Sequence, residues 1–213
     1  MSVTSQSVRI IGGAFRGRRL RFPKGTTVRP TPDRVRETVF NWLAPYLPGA
    51  RVLDAFAGSG ALGIEALSRG AAEVVLLDRD ARCVTAIAEQ LQAWQVEPAR
   101  YHVQGADSIE WLSRGPTSGR SGDARGPFDI VFLDPPFDRD LWSAAIRALE
   151  QGANFAPQAL VYLETPSAAP AVLASLDTTR WESLRSRVAG EVGYHLYRHA
   201  QVNQSNHAGE AGS

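Results

Sequence analysis

The sequence predicts an α/β protein built on a mostly parallel β-sheet. From residue 50 onward, short apolar runs of strand length alternate with amphipathic stretches of helical length. This alternation is typical of a parallel sheet with both faces covered, because each crossover helix packs on one face. The apolar runs predicted as strands are Val52–Phe56, Val74–Leu77, Tyr101–Val103, Ile130–Leu133 and Leu160–Leu163.

Two C-terminal segments depart from this alternation. Trp181–Val188 and Glu191–Ala200 are separated only by Ala189 and Gly190, which predicts an antiparallel hairpin. We therefore expect seven strands in total, with the hairpin added at one edge of the sheet.

Helices are predicted between the strands. Ala61–Ser68 ends before Gly70, and in Ala81–Trp94 the apolar residues recur at helical spacing on one face. Two weaker helical patterns lie near residues 141–151 and 168–176.

The N-terminal segment, residues 1–44, is predicted to be a basic extension in front of a main domain at residues 45–200. Glycines punctuate the stretch Val8–Leu20, which predicts a short hairpin with arginines on its outer face. Thr31 is a suitable N-cap, and Pro32 a suitable first residue, for the helix that follows.

Charge is concentrated near the N-terminus. The chain carries a net charge of +1, but residues 1–36 hold nine basic side chains and one acidic, a net of +8. Such a segment suits a polyphosphate partner, because neutralised phosphates release counterions and strengthen binding. The alternative is that the cluster only reflects a chain rich in arginine throughout.

Composition excludes several classes of protein. Cys83 is the only cysteine, which excludes an internal disulfide and a zinc knuckle, and we expect it to be a buried helix residue. No apolar run reaches about 18 residues, and the first residues lack a secretion signal, so we expect a cytoplasmic protein. Residues 201–213 are predicted to be a disordered tail and residues 113–126 a mobile loop.

The segment DAFAGSGALG, residues 54–63, places three glycines at G-x-G-x-x-G spacing between a strand and a helix. Asp78 ends the next strand and could bind a ribose diol. Glycines of this kind also approach the pyrophosphate of a dinucleotide. Asp54 favours another ligand, because its carboxylate would repel a pyrophosphate and attract a cofactor that carries an ammonium and a sulfonium group.

The segment DPPF, residues 134–137, follows a predicted strand at its carboxyl end, where ligands of open α/β sheets bind. The lone pair of a base amino group is delocalised, and acceptors aimed at its protons favour a more nucleophilic, tetrahedral nitrogen. Asp134 offers a carboxylate oxygen and Pro135 a carbonyl oxygen, while Pro136 keeps the turn rigid. Phe137 can stack on an unpaired or flipped base.

These two motifs resemble those of a known enzyme class. The D-x-F-x-G-x-G pattern resembles motif I of the class I S-adenosylmethionine-dependent methyltransferases, whose fold is Rossmann-like, and DPPF resembles the [DN]-P-P-[FYW] motif of amino-methyltransferases. The resemblance implies contacts to the cofactor's methionine end, ribose and adenine. The residues it assigns to the cofactor are Asp54, Phe56, Gly58, Gly60, Asp78 and Asp107.

The N-terminal segment narrows the resemblance further. RIIGG at residues 9–13, RGR at 16–18 and RPTPDRVRETVFNWL at 29–43 are similar to the opening of the bacterial 16S ribosomal RNA guanine-N2 methyltransferases. The match implies methylation of one guanine, in a partly assembled 30S subunit, by a monomer that needs no metal. Two departures are an expanded loop at 113–126 and Asp78 where relatives commonly have Glu. The side chains expected to grip phosphates are Arg16, Arg18, Arg19, Arg29 and Arg34.

Three alternatives stay open at this point. An adenine-N6 methyltransferase would use the same glycine loop and the same DPPF turn. A non-catalytic RNA-binding assembly factor could keep the fold without the reaction, and a nicotinamide dehydrogenase is disfavoured by Asp54. His195 and His199 lie four residues apart on a predicted strand and are interpreted as structural.

Overall fold

A computed structural model describes residues 6–23, 31–114, 127–152, 155–167, 173–174 and 176–200. Its elements alternate between strands and helices as the apolar pattern predicts. The strands are β1 (Gln6–Arg9), β2 (Arg19–Phe22), β3 (Arg51–Asp54), β4 (Glu73–Asp78), β5 (Tyr101–Gly105), β6 (Phe128–Leu133), β7 (Phe155–Pro166), β8 (Trp181–Ala189) and β9 (Val192–His199). The helices are α1 (Asp33–Leu43), α2 (Ala61–Ser68), α3 (Ala81–Ala93), α4 (Ser108–Ser113) and α5 (Trp142–Gln151).

Seven strands form one sheet in the order β5-β4-β3-β6-β7-β9-β8. The first five strands in this order are parallel, whereas β9 pairs antiparallel with both β7 and β8. The predicted mostly parallel sheet with an antiparallel edge hairpin is therefore confirmed. The chain runs outward from β3 to β5 and returns to β6 beside β3. Ligands of such sheets bind at this change of direction.

Both faces of the sheet are buried, which explains why the parallel strands read as continuous apolar runs. One face carries Val52, Ile130 and Phe132 and is covered by α1, α2 and α3. The opposite face carries Leu53 and Val131 and is covered by α4 and α5. The site at the strand ends is thus supported by a packed core on each side.

The N-terminal segment packs into the same core as the sheet. β1 and β2 form the predicted antiparallel hairpin, with Val8 and Leu20 turned inward. Helix α1 adds Val39 and Phe40 to the core. The expected N-cap is wrong: Pro32 takes that position, and the Thr31 hydroxyl donates instead to Glu164 at 2.7 Å.

Some predicted features differ in extent or fall outside the described residues. The third helix begins after Asp80, whose side chain accepts the Arg82 N–H, and ends at Ala93. The predicted helix at 168–176 and loop at 113–126 lie mostly outside the described residues, as does the tail at 201–213. No helix in the described part of the chain is long and apolar enough to cross a membrane.

Candidate functional site

Asp54 and Asp134 lie at the carboxyl ends of neighbouring parallel strands. Asp54 is the last residue of β3 and pairs in register with Phe132 of β6, and Asp134 follows that strand directly. Alternation along a strand turns Asp54, Phe132 and Asp134 toward the same face. The charge of Asp54 contributes to raising the pKa of Asp134, so the two carboxyl groups share one electrostatic environment. The two sequence motifs therefore meet in one place.

The glycine loop, residues 55–60 between β3 and α2, and the start of α2 require glycine at particular positions. Gly58 and Gly60 have φ values of +53° and +77°, a region that favours glycine. A Cβ on Gly63 would lie 2.9 Å from Leu76 and 3.2 Å from the Asp54 Cβ. Glycine at this position lets α2 pack closely against β3 and β4, which brings the start of α2 to the strand ends.

Asp54 is almost completely buried, and its carboxylate accepts the Gly63 N–H at 2.8 Å. Burial raises its pKa, whereas the backbone N–H groups of Gly63 and Phe56 favour the charged form. The neighbouring carboxylates of Asp78 and Glu164 also raise it, and the resulting pKa is about 7. A positively charged ligand beside Asp54 would offset both effects.

Asp78 ends β4 and holds the glycine loop in place. Its carboxylate accepts the Gly58 N–H at 2.7 Å and the Asp80 N–H at 2.8 Å. Burial raises its pKa, and these two N–H groups oppose the shift. Since a carboxylate has about four acceptor positions, Asp78 can still accept from a ribose hydroxyl.

Asp107 lies after β5, one strand further from the centre. Its exposed side chain caps α4 by accepting the N–H groups of Ile109 and Glu110 at 3.0 and 3.1 Å. Phe56 is half-buried and packs against the hydrophobic core on the face of the sheet that α4 and α5 cover. The described residues thus place carboxylates at three successive strand ends, a set of acceptors that fits a cofactor with hydroxyl, amino and cationic groups.

The DPPF turn presents a carboxylate and an aromatic ring at the carboxyl end of β6. Asp134 is half-buried, and desolvation together with the charge of Glu164 raises its pKa well above the ordinary value. Pro135 is buried and Pro136 half-buried. Phe137 is 39% exposed, and its ring centre lies 5.6 Å from that of Trp142. An exposed ring supported from behind is suited to stacking on a planar ligand.

Glu164 is a buried carboxylate that the sequence motifs do not reveal. One of its oxygens accepts the hydroxyls of Thr31 and Tyr162, each at 2.7 Å. Its backbone carbonyl accepts the Trp142 indole N–H at 2.7 Å. Burial raises its pKa, and the two hydroxyl donors oppose the shift. The only signal in the sequence is a charged residue ending the apolar run Leu160–Leu163.

The arginines of the N-terminal segment differ in their exposure and their contacts. Arg16, Arg18, Arg19 and Arg34 are exposed, whereas Arg29 lies outside the described residues. The Arg18 guanidinium lies 5.4 Å from the Phe15 ring centre and 5.2 Å from that of Trp94. A cavity of about 450 Å³ separates β1 from the start of α1, and its lining includes Arg9, Arg19, Thr31 and Asp33.

The residues interpreted as structural, Cys83, His195 and His199, are buried. Cys83 is buried in α3, and burial raises its pKa to about 12, so it is not a reactive thiolate. His195 contacts the hydroxyl of Ser186 at 2.8 Å, and the His199 ring stacks on Phe155 with 4.1 Å between ring centres. No group of three or more potential ligand side chains in the described ranges could hold a metal ion.

Comparison with known proteins gives matches over nearly the whole chain. The family model described as "Conserved hypothetical protein 95" matches residues 8–198. Ribosomal RNA small subunit methyltransferase D of Escherichia coli strain K12 is 41% identical over 204 residues, which cover 95% of each chain.

Solved structures also match over more than 90% of this chain. The structure of the Escherichia coli protein yhhF is 40% identical, with a TM-score of 0.77 over 92% of this chain and 99% of that one. The Thermus thermophilus 16S rRNA N2 G1207 methyltransferase, solved with AdoMet and guanosine, is 24% identical, with a TM-score of 0.64. That match covers 93% of this chain and 50% of the other, and it shows a shared fold.

Proposed function

Since the chain belongs to the conserved hypothetical protein 95 family, we propose that it transfers a methyl group from S-adenosylmethionine to the N2 amino group of a guanine in 16S ribosomal RNA. The main support is that Asp54 and Asp134 lie at the ends of adjacent parallel strands. A sulfonium methyl group beside Asp54 would then face an amino nitrogen beside Asp134. A relative 41% identical over 95% of the chain is named as a small-subunit ribosomal RNA methyltransferase.

The cofactor is held by residues of the first three parallel strands and their loops. It supplies a methyl group on a positively charged sulfur. Asp54 stabilises its cationic end, and Asp78 accepts from its ribose. The full set of cofactor-binding residues is Asp54, Phe56, Gly58, Gly60, Asp78 and Asp107.

The DPPF turn holds and activates the base. Asp134 and the Pro135 carbonyl accept hydrogen bonds from the two N–H groups of the amino nitrogen, Pro136 fixes the turn, and Phe137 stacks on the ring. The carbon–sulfur bond breaks as the carbon–nitrogen bond forms, and the nitrogen then loses one proton. The raised pKa of Asp134 makes its carboxylate a suitable acceptor for that proton.

The N-terminal segment supplies contacts to the RNA backbone. Arg9 and Arg19, two exposed arginines of the hairpin, line the same cavity as Thr31. Because Thr31 also donates to Glu164, this surface is continuous with the site. The phosphate-binding side chains are Arg16, Arg18, Arg19, Arg29 and Arg34. The protein would act as a monomer, in the cytoplasm, on a partly assembled 30S subunit.

Product analysis tests this function directly. Purified protein is incubated with isotopically labelled S-adenosylmethionine and 30S precursor particles, and the RNA is digested to nucleosides for mass spectrometry. We expect labelled N2-methylguanosine. Labelled N6-methyladenosine in its place would instead identify an adenine methyltransferase. RNA binding without calorimetrically detectable cofactor binding would identify a non-catalytic assembly factor.

A further inference from the structure

The two carboxyl groups of Asp134 and Glu164 lie side by side at the end of the sheet. Leu133 of β6 pairs in register with Leu163 of β7, and each carboxylate residue directly follows one of them. Adjacent strands lie roughly 4.8 Å apart, and residues paired across parallel strands face the same side. The charge of Glu164 is the largest charge effect on Asp134. The site therefore offers two acidic groups in a row, and the proposed mechanism uses only one.

Glu164 accepts two hydrogen bonds at its carboxylate and one at its backbone carbonyl. Glu164 is 3% exposed, and both of its described side-chain hydrogen bonds, from Thr31 and Tyr162, go to the same oxygen, Oε1. Its backbone carbonyl binds Trp142, the residue that supports Phe137. A side chain fixed beside Asp134, on a residue whose backbone bonds the support of the stacking ring, is positioned to contact a base bound at Asp134.

Guanine and adenine differ in the group that lies beside the amino group. Beside the amino group of guanine lies N1–H, a hydrogen-bond donor, whereas beside the amino group of adenine lies N1, an acceptor. A carboxylate facing N1 accepts from guanine and repels adenine. A DPPF turn alone cannot make this distinction, because both bases offer it the same amino group.

On the basis of the proposed function, we propose that Glu164 selects guanine by accepting its N1–H, while Asp134 accepts from the neighbouring N2 amino group. Thr31 is a positioning residue that holds the Glu164 carboxylate. Burial raises the pKa of Glu164, and the hydroxyl donors of Tyr162 and Thr31 oppose that shift by favouring the charged form. An ionised Glu164 is the form that discriminates, since a protonated one could donate to adenine N1.

The test compares guanosine with an analogue that lacks N1–H. Once the target nucleotide has been mapped, 30S precursor particles are reconstituted with either guanosine or 2-aminopurine riboside at that position. The analogue keeps the N2 amino group and lacks both N1–H and O6, so the contribution of N1–H is the part of the preference that a substitution of Glu164 removes. We expect the unmodified protein to prefer guanosine at least tenfold in kcat/KM, because the analogue has no N1–H and leaves the Glu164 carboxylate without a hydrogen-bond donor. In Glu164→Gln this preference falls at least fivefold, while affinity for S-adenosylmethionine stays within about twofold.

The controls separate base selection from a purely structural role. Glu182→Gln, which changes an exposed carboxylate on the edge strand β8, should leave the preference unchanged. If Glu164→Gln does not fold, Thr31→Val and Tyr162→Phe each remove one donor to Oε1 and should weaken the preference. Equal losses on both substrates, with the ratio unmoved in every folded variant, would overturn the inference. A wild-type protein that methylates no guanine would instead refute the proposed function.

Discussion

Arg36 and Glu65 form an ion pair of 3.8 Å in which both side chains are completely buried. Glu65 also accepts the backbone N–H groups of Ile11 and Gly12, at 2.7 and 2.8 Å. Arg36 donates to the backbone carbonyl of Arg9 at 2.9 Å. The pair therefore joins the N-terminal hairpin to α2, the helix that begins at the glycine loop.

Removing one partner of this pair should be strongly destabilising. We expect Glu65→Ala to lower the free energy of unfolding by about 3–5 kcal/mol. Of its described ion pairs, the buried Arg36 would keep only that with Asp33 at 2.6 Å, and the N–H groups of Ile11 and Gly12 would lose their acceptor. Glu73→Ala is the matched control, since it breaks a partly exposed ion pair with Arg51 and should cost less than about 1 kcal/mol. Urea unfolding followed by tryptophan fluorescence measures both. Similar losses in the two variants would contradict the assignment of Arg36 and Glu65 as a structural link.

The role of Asp134 can be separated from cofactor binding. Asp134→Ala and Asp134→Asn should each lower kcat at least 100-fold, since they remove an acceptor that acts on the amino group in the transition state. Affinity for S-adenosylmethionine, measured by calorimetry, should change less than about threefold. Asp129→Asn alters the exposed acid near the opposite end of the same strand and should retain activity. A parallel loss of affinity and turnover in the Asp134 variants would show that this carboxylate binds the cofactor instead.

The fold and part of the site could be predicted from the sequence because their signals are local. A parallel strand buried on both faces reads as a short apolar run, and the glycine loop and DPPF turn are continuous segments. Helix α4 has only six residues and gives too short a pattern to recognise. Glu164 was missed for a different reason. Its partner Thr31 lies 133 residues away, so its burial and its hydrogen bonds arise only from the tertiary fold.

The N-terminal charge cluster shows the same limit. Composition counts Arg36 with the basic residues that would contact RNA, yet the structure buries it against Glu65. Arg9 lies 3.8 Å from Asp33, and Arg18 rests on two aromatic rings. Charge along the sequence therefore overstates the charge available to a partner, because the fold uses some of these arginines internally.

The exposed arginines of the hairpin should set the salt dependence of RNA binding. Replacing Arg16, Arg18 and Arg19 with Glu should weaken binding and reduce the slope of log K against log salt concentration by about 2–3, since each phosphate contact contributes roughly 0.7–0.9. This slope is measured by filter binding of 30S precursor particles at salt concentrations from about 50 to 200 mM. The paired control is Arg185→Glu with Arg187→Glu, on the exposed edge strand β8. An unchanged slope in the hairpin variant would exclude these residues from the interface.

Cofactor affinity should depend on pH through Asp54. Without a ligand its pKa is raised to about 7, so below that pH most molecules hold a proton there. A cationic cofactor favours the carboxylate and must displace this proton, so affinity should rise with pH, at most about tenfold per unit, and level off above pH 7. Calorimetry at pH 6 in buffers of different ionisation enthalpy should detect proton release on binding.

Asp54→Asn identifies the group responsible for this dependence. The variant should bind S-adenosylmethionine more weakly at pH 8, because the negative charge is lost, and its affinity should vary less with pH between 6 and 7. The residual dependence belongs to Asp78, whose pKa is also raised by burial. Asp177→Asn, in an exposed turn far from the strand ends, should retain the full dependence. If Asp54→Asn kept the wild-type pH profile, the proton released on binding would come from another group, and the pairing of Asp54 with a cationic cofactor would fail.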